Sequence, residues 1–243
     1  MLSYRNTQKE IEDSGVDTAI IPLGSTEQHS SHLPIGTDAM VIEKIAEKVA
    51  EHFNALLLPV LPVSTCYEHK GKKGSCWMRP STYYQMLQDI VLCLRSQGFK
   101  KVFLLVGHGG IFIAGPATRE LNAMYDDISV IKVDPTITPE MRDVLDNKDA
   151  EIHAGESETS MVLYLFEDLV KKDLMMHNDC QPDVPRDILN TVPIHRISPT
   201  GAWGKSSLAS VEKGEKLFNL RVKAYIEYIE NALKLIDDNH NAW

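Results

Sequence analysis

Three segments of the chain combine imidazole and carboxylate side chains at spacings that suit a metal ion. In Gly24-Ser-Thr-Glu27-Gln-His29-Ser-Ser-His32-Leu-Pro-Ile-Gly36-Thr-Asp38, Glu27 and His29 stand two residues apart. In an extended segment such positions point to the same side, so both could reach one metal or two adjacent ones. Asp38 sits where the chain turns into a helix and suits either a ligand or an N-cap. The second segment, Gly107-His108-Gly109-Gly110, sets a histidine among glycines, which let the backbone approach a ligand closely. Its spacing matches neither the dinucleotide fingerprint nor the Walker pattern. The third, His153-Ala-Gly-Glu156-Ser-Glu158-Thr159-Ser160, either supplies a ligand and a proton-transfer group or is a capped helix start.

Imidazole and carboxylate ligands without sulfur suit zinc or manganese. The four cysteines, Cys66, Cys76, Cys93 and Cys180, form no Cys-x-x-Cys pair, which excludes a thiolate knuckle or a redox dithiol. Two ions bridged by a carboxylate hold a hydroxide and polarise a carbonyl oxygen, which is hydrolase chemistry.

The elements that must position these groups alternate in period. Short apolar runs predict strands at Thr18 to Leu23, Leu56 to Val60, Lys101 to Val106 and Ser129 to Val133. Helical stripes predict helices at Asp38 to Phe53, Ser81 to Leu94, Pro116 to Tyr125, Ser157 to Val170 and Val211 to Ile236. Such alternation implies right-handed crossovers and a three-layer α/β/α sandwich with a mostly parallel central sheet. Function then belongs at the carboxyl ends of the strands, where the three segments are expected to fall. Lys171 to Ser210 holds four prolines and little periodicity, and reads as a long ordered excursion or a subunit contact. Neither repeats nor a linker divide the chain, so residues 1–243 read as a single α/β domain.

Composition narrows the partners. The 243 residues are 43% hydrophobic and carry 34 acidic against 25 basic side chains, a formal charge of −9. The basic surplus of a nucleic-acid-binding protein is missing. With a polar start and no apolar run of membrane-spanning length, the expectation is a cytoplasmic protein acting on a small molecule.

The segments resemble the creatininase (creatinine amidohydrolase) family. Pro22 to Asp38 follows the family's first motif closely, departing at Ser30-Ser31, where Gly-Pro is usual. Gly107 to Gly110 resembles the second motif, His153-Ala-Gly-x-x-Glu158-Thr-Ser the third, and Gly201-Ala-Trp-Gly204 with Glu212-Lys-Gly214 the C-terminal signature. The resemblance implies a dinuclear centre of two divalent ions, zinc or manganese, held by Glu27, His29, Asp38 and His108, with Asp38 bridging. Creatinine-cleaving members take a further glutamate two residues past this histidine. Here that position is Gly110, and Glu158 is the candidate replacement. His153 matches a histidine near the substrate and is expected to pass a proton to the leaving nitrogen, with Glu156 beside it as a second catalytic candidate. His69 falls in the family's mobile substrate loop. Trp77 and Arg79 replace its usual residues as pocket-lining candidates, Arg79 facing a substrate anion. The family forms symmetric hexamers, so a homo-oligomer is expected.

The expected reaction is cleavage of a C–N bond in a small cyclic amide, lactam or formamide by a metal-activated hydroxide. Alternatives are a metal-dependent C–C hydrolase of a cyclic keto-sugar, and a non-catalytic binding or assembly protein that retains the fold. His32 belongs to the first motif without a role, and His52, His177, His195 and His240 read as surface or structural.

Overall fold

The computed structural model describes residues 1–134, 137–149 and 151–240, the last two by backbone alone. In chain order its elements are β1 (Leu2–Ser3), α1 (Gln8–Ser14), β2 (Thr18–Leu23), α2 (Thr37–Phe53), β3 (Leu56–Leu57), α3 (Pro80–Ser96), β4 (Lys101–Val106), α4 (Ala114–Met124), β5 (Ser129–Val133), α5 (Pro139–Val144), α6 (Glu156–Phe166), α7 (Lys172–Met175) and α8 (Val211–His240). Every strand pairing is parallel, in the order β1-β3-β2-β4-β5.

Side chains alternate across a strand, and the two faces of this sheet bury different sets. Ile20, Phe103, Leu105, Ile131 and Val133 pack with α2, α5, α6 and α8. Ala19, Ile21, Leu23, Val102, Leu104, Val106 and Val130 pack with α3 and α4. The result is the expected three-layer α/β/α sandwich, and it explains why β2 and β4 are apolar without a break.

Most expected elements appear within a residue or two, and the departures have local causes. β3 is shorter than Leu56 to Val60 because the ladder to β2 slips by one residue beside Pro59: the Leu58 N–H reaches the Ile20 carbonyl, and the next bond, to the Pro22 carbonyl at 2.9 Å, comes from Leu61 instead of Val60. α6 stops at Phe166, after which residues 167–169 tighten into a 3₁₀ turn. α1 was not expected, yet it carries a full capping box: Thr7 accepts the Glu10 N–H, and Glu10 accepts that of Thr7 at 2.7 Å. The 171–210 segment is an ordered excursion. Cys180 and Gly204 exchange backbone hydrogen bonds, and the Lys171 N–H reaches the His32 carbonyl. No described helix is long and apolar enough to cross a membrane.

Two contacts place the site. β2 and β4 are in register up to Leu23 beside Val106, so the loops that leave them emerge side by side. α2 then lies directly over both loop starts: a Cβ on Gly107 would stand 2.6 Å from Ile42 Cβ. The Tyr225 hydroxyl of α8 donates to the Val106 carbonyl at 2.5 Å, tying the last helix to the end of β4. Gly107→Ala should therefore lower stability by about 1–3 kcal/mol through overpacking, read as a reduced denaturant midpoint at constant slope.

Candidate metal centre

Glu27 and His29 follow β2 in extended backbone, Asp38 lies in the first turn of α2, His108 follows β4, and Glu158 lies in the first turn of α6. The N-cap of α2 is Gly36, and Asp38 turns its carboxylate into the cluster. Asp38 Oδ1 lies 3.3 Å from His29 Nε2, while its Oδ2 lies 3.1 Å from His108 Nδ1. Glu27 Oε2 is 3.2 Å from the same His108 nitrogen, and Glu158 Oε2 is 3.9 Å from His29 Nε2. Glu27, His29 and Asp38 are wholly or almost wholly buried.

Close approach has not produced aligned hydrogen bonds. Glu27 Oε1, His29 Nε2, Asp38 Oδ2 and His108 Nε2 are buried and find no hydrogen-bond partner, though each has an opposite group within 3.3 Å. Buried polar groups are ordinarily satisfied, so four orphans within one cluster of side chains call for a missing partner. Lone pairs of carboxylates and imidazoles aimed at a common centre are what a divalent ion such as zinc or manganese requires. Glu27, His29 and Asp38, and likewise His29, His153 and Glu158, have ligand atoms close enough together to share an ion.

The supporting contacts fix orientation. His29 Nδ1 faces the Glu27 carbonyl at 3.1 Å, and the Ser25 hydroxyl donates to Glu27 Oε2 at 2.6 Å. His69 Nε2 is 2.9 Å from Glu27 Oε1. Gln28, which sequence reasoning passed over, lies between two imidazoles: its side-chain nitrogen is 3.0 Å from His69 Nδ1 and 3.1 Å from His153 Nε2. His153 Nε2 is 2.6 Å from the Gln28 carbonyl. An imidazole N–H donating there leaves Nδ1 free to accept, 3.8 Å from Glu27 Oε1. His32 is buried and structural, with Nε2 2.9 Å from the Thr159 hydroxyl. His52 meets Glu230 on the surface, and the His240 side chain lies outside the described residues.

Electrostatics follow the same geometry. Burial alone would lower the pKa of His29, but Asp38, Glu158 and Glu27 outweigh it and push the imidazole up to about 10. His108, equally buried, is raised well above its usual value by Glu27 and Asp38. Burial opposes the lowered carboxylates of Glu27 and Asp38, which these imidazoles hold down. Burial, then His29 and His69, keeps His153 well below its usual range, hence neutral at pH 7.

Without metal, then, His29 and His108 are charged at neutral pH, and loading must expel about two protons. Calorimetry in buffers of different ionisation enthalpy should show that release, and apparent metal affinity should climb with pH. Because the folded-state value is raised, the imidazole contribution to metal-free stability is complete below about pH 6.5 and disappears as pH rises towards 10. The Tm of chelated protein should fall across that window more than that of loaded protein. Parallel pH profiles would contradict the assignment.

A chamber of about 60 Å³ opens above the cluster, walled by Glu27, Asp38, His108, His153 and Glu158 among others. It adjoins a vestibule of about 390 Å³ and shares with it Glu68, Gly109, Gly110, Arg186 and Leu189. The two charged residues among these are unforeseen. Glu68 Oε1 lies 3.2 Å from His108 Nε2, in the space that a side chain at Gly110 would need; a Cβ there would collide with both groups. Arg186 lays its guanidinium over Gly109, with Nη2 2.5 Å from where a Cβ would stand. The sequence signal for Glu68 was its place beside His69; for Arg186 there was none.

Other expected residues lie elsewhere. Glu156 is buried but takes the N–H groups of Asp146 and Asn147 at 2.9 and 2.7 Å and pairs with Lys213, so it braces the α6 start instead of facing the chamber. Trp77 packs half-buried against Tyr67 with ring centroids 5.7 Å apart, and Arg79 is exposed at the N-cap of α3. Neither lines the chamber or the vestibule; Trp77 instead pairs in strand-like fashion with Ser64.

Comparison with known proteins agrees with the geometry. The family model for creatininase, creatinine amidohydrolase, matches residues 4–229. Similar proteins include the 3-dehydro-scyllo-inosose hydrolase of Thermotoga maritima, 25% identical over 94% of this chain and 81% of its own length. The mycofactocin precursor peptide peptidase of Mycolicibacterium smegmatis is 28% identical over 84% of this chain and 81% of its own. Creatinine amidohydrolase of Pseudomonas putida is 27% identical over 92% of this chain and 94% of its own. In three dimensions creatininase superposes with a TM-score of 0.82 at 23% identity, covering 95% of this chain and 97% of the other. Creatininase has also been solved in a manganese form and, as a mutant, in a zinc–zinc form. With a family model matching nearly its whole length, this chain belongs to the creatininase family.

Proposed function

We propose that the chain is a dinuclear metal hydrolase that cleaves a C–N bond of a small cyclic amide, lactam or formamide. The observation that carries this reading is Asp38, whose two oxygens face different imidazoles, Oδ1 towards the orphaned His29 Nε2 and the orphaned Oδ2 towards His108 Nδ1. A carboxylate so divided is what two neighbouring cations need as a bridge. Divalent ions held by Glu27, His29, Asp38, His108 and Glu158 would activate water and polarise a carbonyl.

The chain's own groups do the rest. Glu68 stands on the chamber side of His108 and is the group placed to shuttle a proton to the leaving nitrogen. His153 is neutral and can return only a proton it has first accepted. His69 holds Glu27 and the Gln28 carbonyl holds His153, so that the ligands need not reorganise as charge develops. The chamber admits one functional group, and the vestibule has room for the remainder of a small molecule.

The test is to assay zinc- or manganese-loaded protein against lactams, cyclic amides, formamides, short peptides and cyclic keto-sugars, following products by mass spectrometry and amine release. Ring opening of an amide with a new amine or ammonia is expected. Open-chain keto acid from a keto-sugar, with no amine, would replace this reading with C–C cleavage. Protein that neither retains nor takes up metal would favour a non-catalytic role.

A further inference from the structure

We propose that Arg186 makes this site selective for substrates that bear a carboxylate beside the scissile group. The inference rests on the reading above, that the chamber over Glu27, His29, Asp38 and His108 is where reaction occurs.

Arg186 begins a 3₁₀ turn, Arg186–Asn190, that closes over the site from the long 171–210 excursion. Its guanidinium is spread on the backbone beside His108, a placement possible only because residue 109 has no side chain. It lines both the chamber and the vestibule. No carboxylate or other acceptor among the described residues pairs with it, whereas Arg95, away from the site, is bound by Asp127 at 2.7 Å. A planar five-donor group with no protein partner, held at the throat of a cavity, is an anion receptor.

The surrounding charge selects the anion. The rim beside Arg186 carries the carboxylates Glu68 and Asp187, and the chain as a whole has a formal charge of −9. One guanidinium balances a carboxylate monoanion. A phosphate dianion would leave one charge uncompensated against those two acids. The placement also divides the labour on a bound molecule. A carboxylate held at Arg186 anchors it from the vestibule side, while the chamber beyond leads the neighbouring carbonyl to the cluster, next to Glu68.

A matched pair of lactams tests this by isothermal titration of the metal-loaded protein: 2-pyrrolidone-5-carboxylate and 2-pyrrolidone, which differ only in the carboxylate. The carboxylated lactam should bind at least about tenfold more tightly, a difference worth about 1.4 kcal/mol. Arg186→Gln should bring the two affinities together, and Arg186→Lys, which keeps the charge but not the fork, should restore part of the gap. Because the residue is exposed, both variants should fold with the parent's Tm. Equal affinities in the parent protein would overturn the inference. So would a preference that survives in Arg186→Gln, since the carboxylate would then be meeting the metal ions. Inorganic phosphate displacing the carboxylated lactam better than acetate does would overturn the choice of anion. If both lactams bind without preference, the site reading stands and only this inference falls; if neither binds, both fall.

Discussion

Asp38→Ala should leave the protein folded but with at most one ion per chain and no measurable hydrolysis. Loss of an outer-shell partner alone costs a metal site about 10–100-fold, and on the dinuclear reading proposed above Asp38 would touch two ions, so the loss of activity should exceed that range. The substitution removes the one carboxylate that faces both His29 and His108, at 3.3 and 3.1 Å. In the metal-free state the penalty is smaller than for a fixed buried charge, because each imidazole can release its proton when its counter-ion disappears. Removing Asp38 also relieves its repulsion with Glu27. Metal analysis and thermal unfolding together separate these effects. An Asp38→Ala protein that keeps two ions per chain would sink the bridging assignment.

Glu68→Gln should behave differently, with metal content unchanged, KM little altered and kcat lower by about 10²–10⁴-fold, the usual contribution of a positioned proton-transfer group. The amide keeps the shape of the side chain beside His108 Nε2 but cannot give up or take a proton. Unchanged kcat would remove Glu68 from the reaction. Positions 68 and 110 compete for the same space, which yields a sharper test. Gly110→Glu alone should destabilise the protein by collision, whereas the Glu68→Ala, Gly110→Glu double variant should recover part of the lost kcat. Recovery would show that a carboxylate is needed at that point whichever loop provides it.

Much of the frame is legible locally. After their first residues, Thr18 and Lys101, β2 and β4 are short apolar runs ended by Gly24 and Gly107, so their limits can be read from composition alone. α2 declares itself by the stripe Ile42, Ile45, Ala46 and Val49. β1 is two residues long and exists only because Leu56 and Leu57 lie beside it, a pairing no local signal announces. Ser30 shows a motif departure that structure accommodates: it holds φ 59° where glycine is usual, and its hydroxyl donates to the Thr200 carbonyl at 2.9 Å.

The site divides along the same line. The identity of Glu27, His29, Asp38 and His108 as one chemical group was readable because each directly follows a strand or opens a helix, and parallel sheets bring those ends to one edge. The motif singles out Glu158 as a ligand candidate, but that Glu156 beside it does not face the chamber was decided only by tertiary structure: Lys213 of α8 and the 146–147 backbone take up Glu156, while Glu158 faces His29. Likewise the carboxylate beside His108 comes from Glu68 because the 67–69 turn folds over Gly110, and the cation at the throat is Arg186 instead of Arg79 because the 171–210 excursion folds back over Gly109. Strand-end chemistry is written in adjacent residues. Contacts between loops separated by 40 to 80 residues depend on how each loop is packed, and spacing along the chain carries no record of that.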